Sequence, residues 1–106
     1  MDGQDTPLSA QPESGATSRV RRRVVVRGRV QGVWFRDSCR REAVSRSVAG
    51  WVRNCEDGTV EAAFEGSPAA VEAMTAWCRA GPPHASVASV ESTDEAPIGE
   101  VAFRIR

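Results

Sequence analysis

Lysine is absent from the chain: all 14 basic residues are arginine. Without a lysine amine, Schiff-base chemistry and a Walker-type phosphate loop are both excluded. Tyrosine is absent as well, and His84 is the only histidine. Cys39, Cys55 and Cys78 are an odd number with no CxxC spacing, which argues against a disulfide framework and against a zinc site. Reduced thiols are the better reading. Residues 1–18 contain no apolar core of signal-peptide length. Nowhere is there an apolar run of about 18 residues, as a membrane span would need. A soluble cytoplasmic protein is the resulting expectation.

Charge is balanced overall but unevenly placed. Residues 1–18 carry Asp2, Asp5 and Glu13 with no basic residue; the remainder has 14 arginines against 11 acids, a net of +3. That is mildly basic, far from a nucleic-acid-coating surface. Residues 1–18 are also rich in Ser, Gly, Pro and Gln and too poor in apolar surface to order themselves, so they read as a disordered tail. One domain is expected over 19–106.

Along that domain, Val24, Val25 and Val26 form a β-branched run suited to a central strand. Phe35, Cys39 and Ala43, spaced by four, predict a helix from Phe35 to about Arg46. Extended structure resumes at residues 50–53, and Asp57-Gly58 signals a hairpin. Val60, Ala62 and Phe64 alternate with Glu61, Ala63 and Glu65, predicting a strand with one face largely buried. Ser67-Pro68 places an N-cap hydroxyl before a proline, and Val71, Met74 and Cys78 follow as a helical stripe broadened by Ala70 and Trp77. Gly81-Pro82-Pro83 ends that helix. A strand is expected over residues 87–91, and another where Val101, Phe103 and Ile105 alternate with Ala102, Arg104 and Arg106. The order β-α-β-β-α-β plus one further strand fits an α+β, ferredoxin-like sandwich, with two helices on one face of a largely antiparallel sheet.

The stretch GRVQGVWFR, residues 28–36, spans the first strand-to-helix crossover. Glycines there let the backbone approach a ligand closely, and successive N–H groups can form an anion-binding nest. The helix start adds unpaired N–H groups and the positive end of a dipole. Arg36 brings a planar fork suited to two phosphate oxygens, although an arginine in the first turn opposes the dipole unless an anion lies between. Spacing alone also allows an ordinary turn with a solvated arginine. It is neither a Rossmann fingerprint, since Gly28 and Gly32 lack a third glycine in register, nor a Walker A loop.

The run VRGRVQGVWFR, residues 26–36, resembles the first signature of the acylphosphatases, and GWVRN, residues 50–54, followed by Gly58, Val60 and Gly66, resembles their second. The resemblance spans essentially all of 19–106. It implies the ferredoxin-like fold and a metal-independent, cofactor-free hydrolysis of acyl phosphates to a carboxylate and inorganic phosphate. It further implies that the backbone of Arg29, Val30, Gln31, Gly32 and Val33 cradles the phosphate. On the same resemblance Arg36 binds the phosphate oxygens and Asn54 positions the attacking water. One departure stands out: Arg46-Ser47 replaces the Leu-Gly common in relatives, which puts a serine where a helix end favours a left-handed glycine.

The chemistry of the residues agrees. A phosphoryl transition state can be stabilised largely by positioning and electrostatics. The leaving carboxylate of an acyl phosphate has a conjugate acid of pKa about 4–5, by analogy with Asp and Glu side chains, and can depart unprotonated. No general acid is evident at the motif, which favours acyl phosphates over alkyl phosphate esters. Asn54 offers a carboxamide oxygen to accept from water and an NH2 to donate toward phosphate, though a turn residue before the hairpin is its plain alternative.

Other residues carry plainer readings. Asp37 is a favourable acid in the first helical turn. Glu56-Asp57 is a solvated pair, and His84 sits in a surface loop. Trp34, Trp51 and Trp77 either pack the core or wall the pocket. The run Arg19, Arg21, Arg22 and Arg23 borders the acidic tail and adds local positive potential. The expected partners are a small acyl phosphate, and inorganic phosphate as product and inhibitor, with no nucleic acid and no membrane; a monomer is the default. Two alternatives remain: a non-catalytic anion-binding module of the same fold, which would be marked by loss of Arg36 or Asn54, and an RRM-type RNA binder. The latter needs an RNP1-like aromatic strand that no segment offers.

Overall fold

The computed structural model describes residues 19–106; the expected tail, residues 1–18, lies outside the described residues. Seven elements follow in order: β1 Val20–Arg29, α1 Phe35–Ser45, β2 Ala49–Asn54, β3 Val60–Gly66, α2 Pro68–Ala80, β4 Ser86–Glu95 and β5 Phe103–Ile105. The sheet runs β4-β1-β3-β2-β5, antiparallel throughout except where β5 lies parallel to β2. The first four strands make the split βαβ arrangement of the ferredoxin-like fold, and β5 is the extra strand, added beside β2.

Both helices cover one sheet face, α1 over β2 and β5, α2 over β4, β1 and β3. Alternate strand residues, among them Val24, Val26, Val52, Val60, Ala62 and Phe64, meet Phe35, Cys39 and Ala43 of α1 and Val71, Met74 and Cys78 of α2 in one core. The four-residue and three-residue spacings seen in the sequence are the stripes that are buried. Ser67 Oγ accepts from Ala70 N–H at 3.2 Å, so the expected N-cap of α2 forms.

Cys39 and Cys78 face each other between the helices; the bond to the Cys78 thiol, together with burial, pushes the Cys39 thiol well up. Both cysteines therefore behave as buried packing groups.

Two strand expectations are corrected. In β3 burial is not confined to one face: Glu65, expected on the polar side, is fully buried. Its carboxylate accepts from Ile98 N–H at 3.1 Å, Gly99 N–H at 2.7 Å and Arg21 Nη1 at 3.0 Å, and these partners make an ionised carboxylate tolerable there. Burial alone would raise the Glu65 carboxyl, but the two backbone donors and Arg21 hold it below its ordinary value. The last strand is also shorter than its pattern suggested. It begins at Phe103: Ala102 O still accepts from Gly50 N–H of β2 at 2.9 Å, but Val101 is 94% exposed and the chain before it is drawn to Glu65 by the Ile98 and Gly99 amides.

The basic run likewise has a different use from the one expected. Arg21 is buried against Glu65, Glu95 and Glu100; Arg22 pairs with Glu72 and Asp94, and Arg23 with Glu61 and Glu95. These arginines tie β1 to its neighbours. On the outer sheet face, which Arg21 and Arg23 share while Arg22 turns toward α2, Trp51 is buried beneath Arg23, Arg53 and Arg106, whose guanidinium carbons lie 5.4, 5.8 and 4.2 Å from its ring centroid.

At the end of α1, Val48 N–H donates to Ala43 O at 2.9 Å and Ser47 N–H to Val44 O at 3.1 Å, the paired bonds of a Schellman motif. Ser47 holds the left-handed φ of 58° that the motif requires, as its place in the sequence suggested.

Candidate active site

Strand register brings the two sequence signatures together. Val60 of β3 pairs with Val26 of β1 on one side and with Asn54 of β2 on the other. The chain leaving β1 and the end of β2 therefore emerge at the same edge of the sheet, about 10 Å apart with β3 between them. Asn54 shares a side-chain parity with Val52, which faces the helices, so it lies on the side where α1 begins.

The crossover is shaped by two glycines. Gly28 sits at a β-bulge against β4, where a Cβ would stand 2.2 Å from Ser86 O, so no side chain fits. Gly32 has φ of 74° and open space around its missing Cβ, leaving its backbone free to approach a ligand. The loop is then fastened from within. Gln31 Nε2 donates to Cys55 O at 2.8 Å and to Thr59 O at 2.9 Å, both in the β2–β3 hairpin. That hairpin is closed by Cys55 N–H to Thr59 O at 2.9 Å. Asp57 Oδ1 accepts from the Thr59 hydroxyl at 2.7 Å and its N–H at 3.0 Å, and these bonds lower the Asp57 carboxyl. The Asp-Gly signal thus marks a five-residue connection, residues 55–59, rather than a two-residue turn.

α1 begins at Phe35 with Trp34 as N-cap in the left-handed region and no capping side chain. Its first N–H groups and dipole end face a cleft of about 370 Å³, into which Gly32, Arg36 and Asn54 also open. Arg36 is exposed and forms none of the ion pairs found among the described residues. Asn54 Oδ1 is buried and has no hydrogen-bond partner there.

The expected site residues therefore separate. Val30, Gly32, Arg36 and Asn54 line the cleft. The side chains of Arg29, Gln31 and Val33 do not: Arg29 is exposed at the end of β1, Gln31 turns to the hairpin, and Val33 is buried. Asp37 lines the cleft too, while keeping the first-turn position read for it and an ion pair to Arg41 at 3.4 Å. Trp34 walls the cleft, Trp51 lies on the opposite sheet face, and Trp77 packs edge-on against Phe35. The motif reading missed Ile105, which lines the cleft because β5 pairs it with Val52, two residues before Asn54. Its alternation with Phe103 was the available signal; which strand it would join was not.

A larger groove, about 560 Å³, lies between the end of α1 and residues 99–103, away from these groups. Its charged side chains are already engaged: Arg19 lies 3.5 Å from Glu65, and Glu100 pairs with Arg21 and Arg104. Among the described residues no cluster of three or more His, Cys, Asp or Glu could hold a metal ion, and no helix is long and apolar enough to cross a membrane.

Fold and cleft together define a small α+β domain with a recess at its first strand-to-helix crossover that Arg36, Asp37 and Asn54 line. The family model described as acylphosphatase matches residues 22–105. An acylphosphatase of Synechococcus sp. (strain JA-2-3B'a(2-13)) is 53% identical over 90 residues, covering 85% of this chain and 96% of that protein. Among solved structures, an acylphosphatase from Coxiella burnetii superposes with a TM-score of 0.83 at 34% identity, covering 87% of this chain and 97% of that one. The acylphosphatase from Bacillus subtilis gives 0.79 at 36% identity, covering 82% and 98%. The chain belongs to the acylphosphatase family, and it is an enzyme of that type.

Proposed function

We propose that the cleft hydrolyses acyl phosphates by holding the phosphoryl group between the backbone of residues 29–33, the start of α1 and Arg36, while Asn54 orients water. Water oxygen attacks phosphorus, and the bond from phosphorus to the acyl oxygen breaks. The carboxylate departs with the bonding electron pair, and a proton of the attacking water passes to the phosphate produced. Little beyond positioning and charge stabilisation is needed for such a transfer.

The observation that carries this reading is Asn54 Oδ1, buried without a partner at the cleft that Arg36 opens into. A buried polar atom without a partner is costly, and a bound water is the group that would satisfy it. Arg36, uncompensated by a carboxylate among the described residues, supplies the positive charge a phosphoryl group needs.

On the same reading inorganic phosphate is product and competitive inhibitor, and the enzyme acts in the cytoplasm as a monomer. The same reading needs no nucleic acid, and the ion pairs of Arg21, Arg22 and Arg23 support it by occupying the basic run. The test is hydrolysis of benzoyl phosphate by the purified protein in EDTA, with Arg36→Gln alongside. Turnover by the wild type and loss of nearly all of it in the variant is the expected result; inactivity of the folded wild type, or full activity of Arg36→Gln, overturns the reading. Phosphate should also raise the melting temperature, as a ligand of the native state does.

A further inference from the structure

On the acyl phosphate reading, the acyl group must meet the part of the cleft lining that does not hold the phosphoryl group. Of its apolar lining, Val30 is 1% exposed and Phe35 2%, so neither offers surface to a ligand. The residues that do are Trp34, 76% exposed, and Ile105, 42% exposed. Trp34 is unusual in a second, independent way. Its φ of 65° and ψ of 24° place it in the left-handed region, where a bulky side chain is a genuine outlier. Glycine would take that conformation without strain and asparagine with little.

An indole this exposed gains little from burial, and among the described residues it enters neither an aromatic pair nor a cation–π contact. Strain held at a position that contributes little to folding points to a use in binding. Trp34 lines the same cleft as Gly32 and Arg36, so a group attached to a phosphate held there shares that cleft with the indole.

We infer that Trp34 is the specificity-determining residue for the acyl group, and that the preferred substrates are acyl phosphates of flat, apolar carboxylic acids, arenecarboxylic acids above all. The inference rests on the acyl phosphate reading of the cleft. The indole gives a rigid face with few rotamers to freeze, and an aromatic acyl group stacks on it offset or edge-on. Ile105 supplies a second apolar surface. An acetyl group is too small to cover the indole and gains little from it. Discrimination of this kind is large enough to measure, since a single methylene in an apolar pocket changes kcat/KM by roughly 10-fold or more.

The test compares kcat/KM for benzoyl phosphate and acetyl phosphate in wild type, Trp34→Gly and Trp34→Phe. Glycine removes the indole while suiting the left-handed backbone, and melting curves check that each variant is folded. Differences in leaving-group reactivity are common to all three proteins and cancel in the ratio of ratios. The benzoyl-to-acetyl ratio is expected to fall at least about 10-fold in Trp34→Gly and to return to within about 3-fold of wild type in Trp34→Phe. A ratio unchanged in the folded glycine variant, both rates falling together, or a phenylalanine that restores nothing, overturns the inference. A wild type that hydrolyses neither compound overturns the acyl phosphate reading itself, a separate result.

Discussion

The Gln31 side chain is bonded to the carbonyl of Cys55, at 2.8 Å, across the space between the β1–α1 loop and the β2–β3 hairpin. With its second bond, to Thr59 O at 2.9 Å, it joins the loop before Arg36 to the turn after Asn54. Two carbonyl acceptors fix which end of the amide faces them. Removing the amide in Gln31→Ala is expected to cost about 1–2 kcal/mol of stability for two hydrogen bonds. It should also lower kcat/KM by roughly 10- to 100-fold, because the two halves of the site lose their common reference. Gln31→Glu should be worse on both counts, since a carboxylate would face two carbonyl oxygens. Denaturant titration beside benzoyl phosphate kinetics measures both effects.

Asn54 is expected to act in kcat more than in KM. Asn54→Ala removes the oxygen that would hold water but leaves Arg36 and the loop, so phosphate should still bind while turnover falls by roughly 100- to 1,000-fold, the scale for one oriented polar group at a transition state. Inhibition by inorganic phosphate within about 3-fold of wild type, measured with the residual activity, separates this from a collapsed site.

Much of this arrangement was legible in the sequence, and the reasons differ by element. The helices were readable because Phe35, Cys39 and Ala43, and Val71, Met74 and Cys78, repeat at helical spacing and all face one core. Ser47 was readable as a left-handed residue because the helix pattern ends immediately before it. Glu65 was not, since strand alternation assigns it to a polar face and only tertiary contact with residues 98 and 99 buries it. The side-chain role of Gln31 was hidden for a similar reason: its partners lie 24 and 28 residues away and are backbone atoms, which leave no mark on a motif.

Ser47 marks a place where the fold can be strengthened without touching the site. At φ of 58° a glycine avoids the Cβ clash of the left-handed conformation, at some cost in unfolded-chain entropy. Ser47→Gly is expected to stabilise the domain by about 0.5–1 kcal/mol and to raise Tm by roughly 2–8 °C for a domain of this size. Activity should be unchanged, because this helix end lies about 16 Å along α1 from the cleft. Calorimetry and a kinetic assay check both.

Glu65 predicts an acid limb of stability. Its carboxyl titrates lower in the folded protein than in the unfolded chain, so the unfolded state binds more protons between the two values. The contribution is complete above the unfolded value, about pH 4.3, and disappears as pH falls through the depressed folded value. Glu65→Gln should lose about 3 kcal/mol at neutral pH, leaving buried Arg21 with weaker compensation. The variant's stability should then depend less on pH below about 4.3 than the wild type's. Urea titrations at pH 3, 4 and 7 give the comparison.

The walls of the cleft differ in how firmly they are anchored. Arg36 belongs to α1, packed over the sheet face, and Asn54 to β2 inside the sheet, whereas Ile105 hangs on a three-residue strand at its margin, paired only with β2. A strand of that length opens at a small fraction of the global unfolding free energy. In hydrogen exchange, the amides of β5 should lose protection long before those of β3. The share of acyl-group selectivity that Ile105 supplies then erodes with warming or mild denaturant while Trp34, Arg36 and Asn54 stay in place, giving an enzyme that becomes less choosy before it becomes inactive.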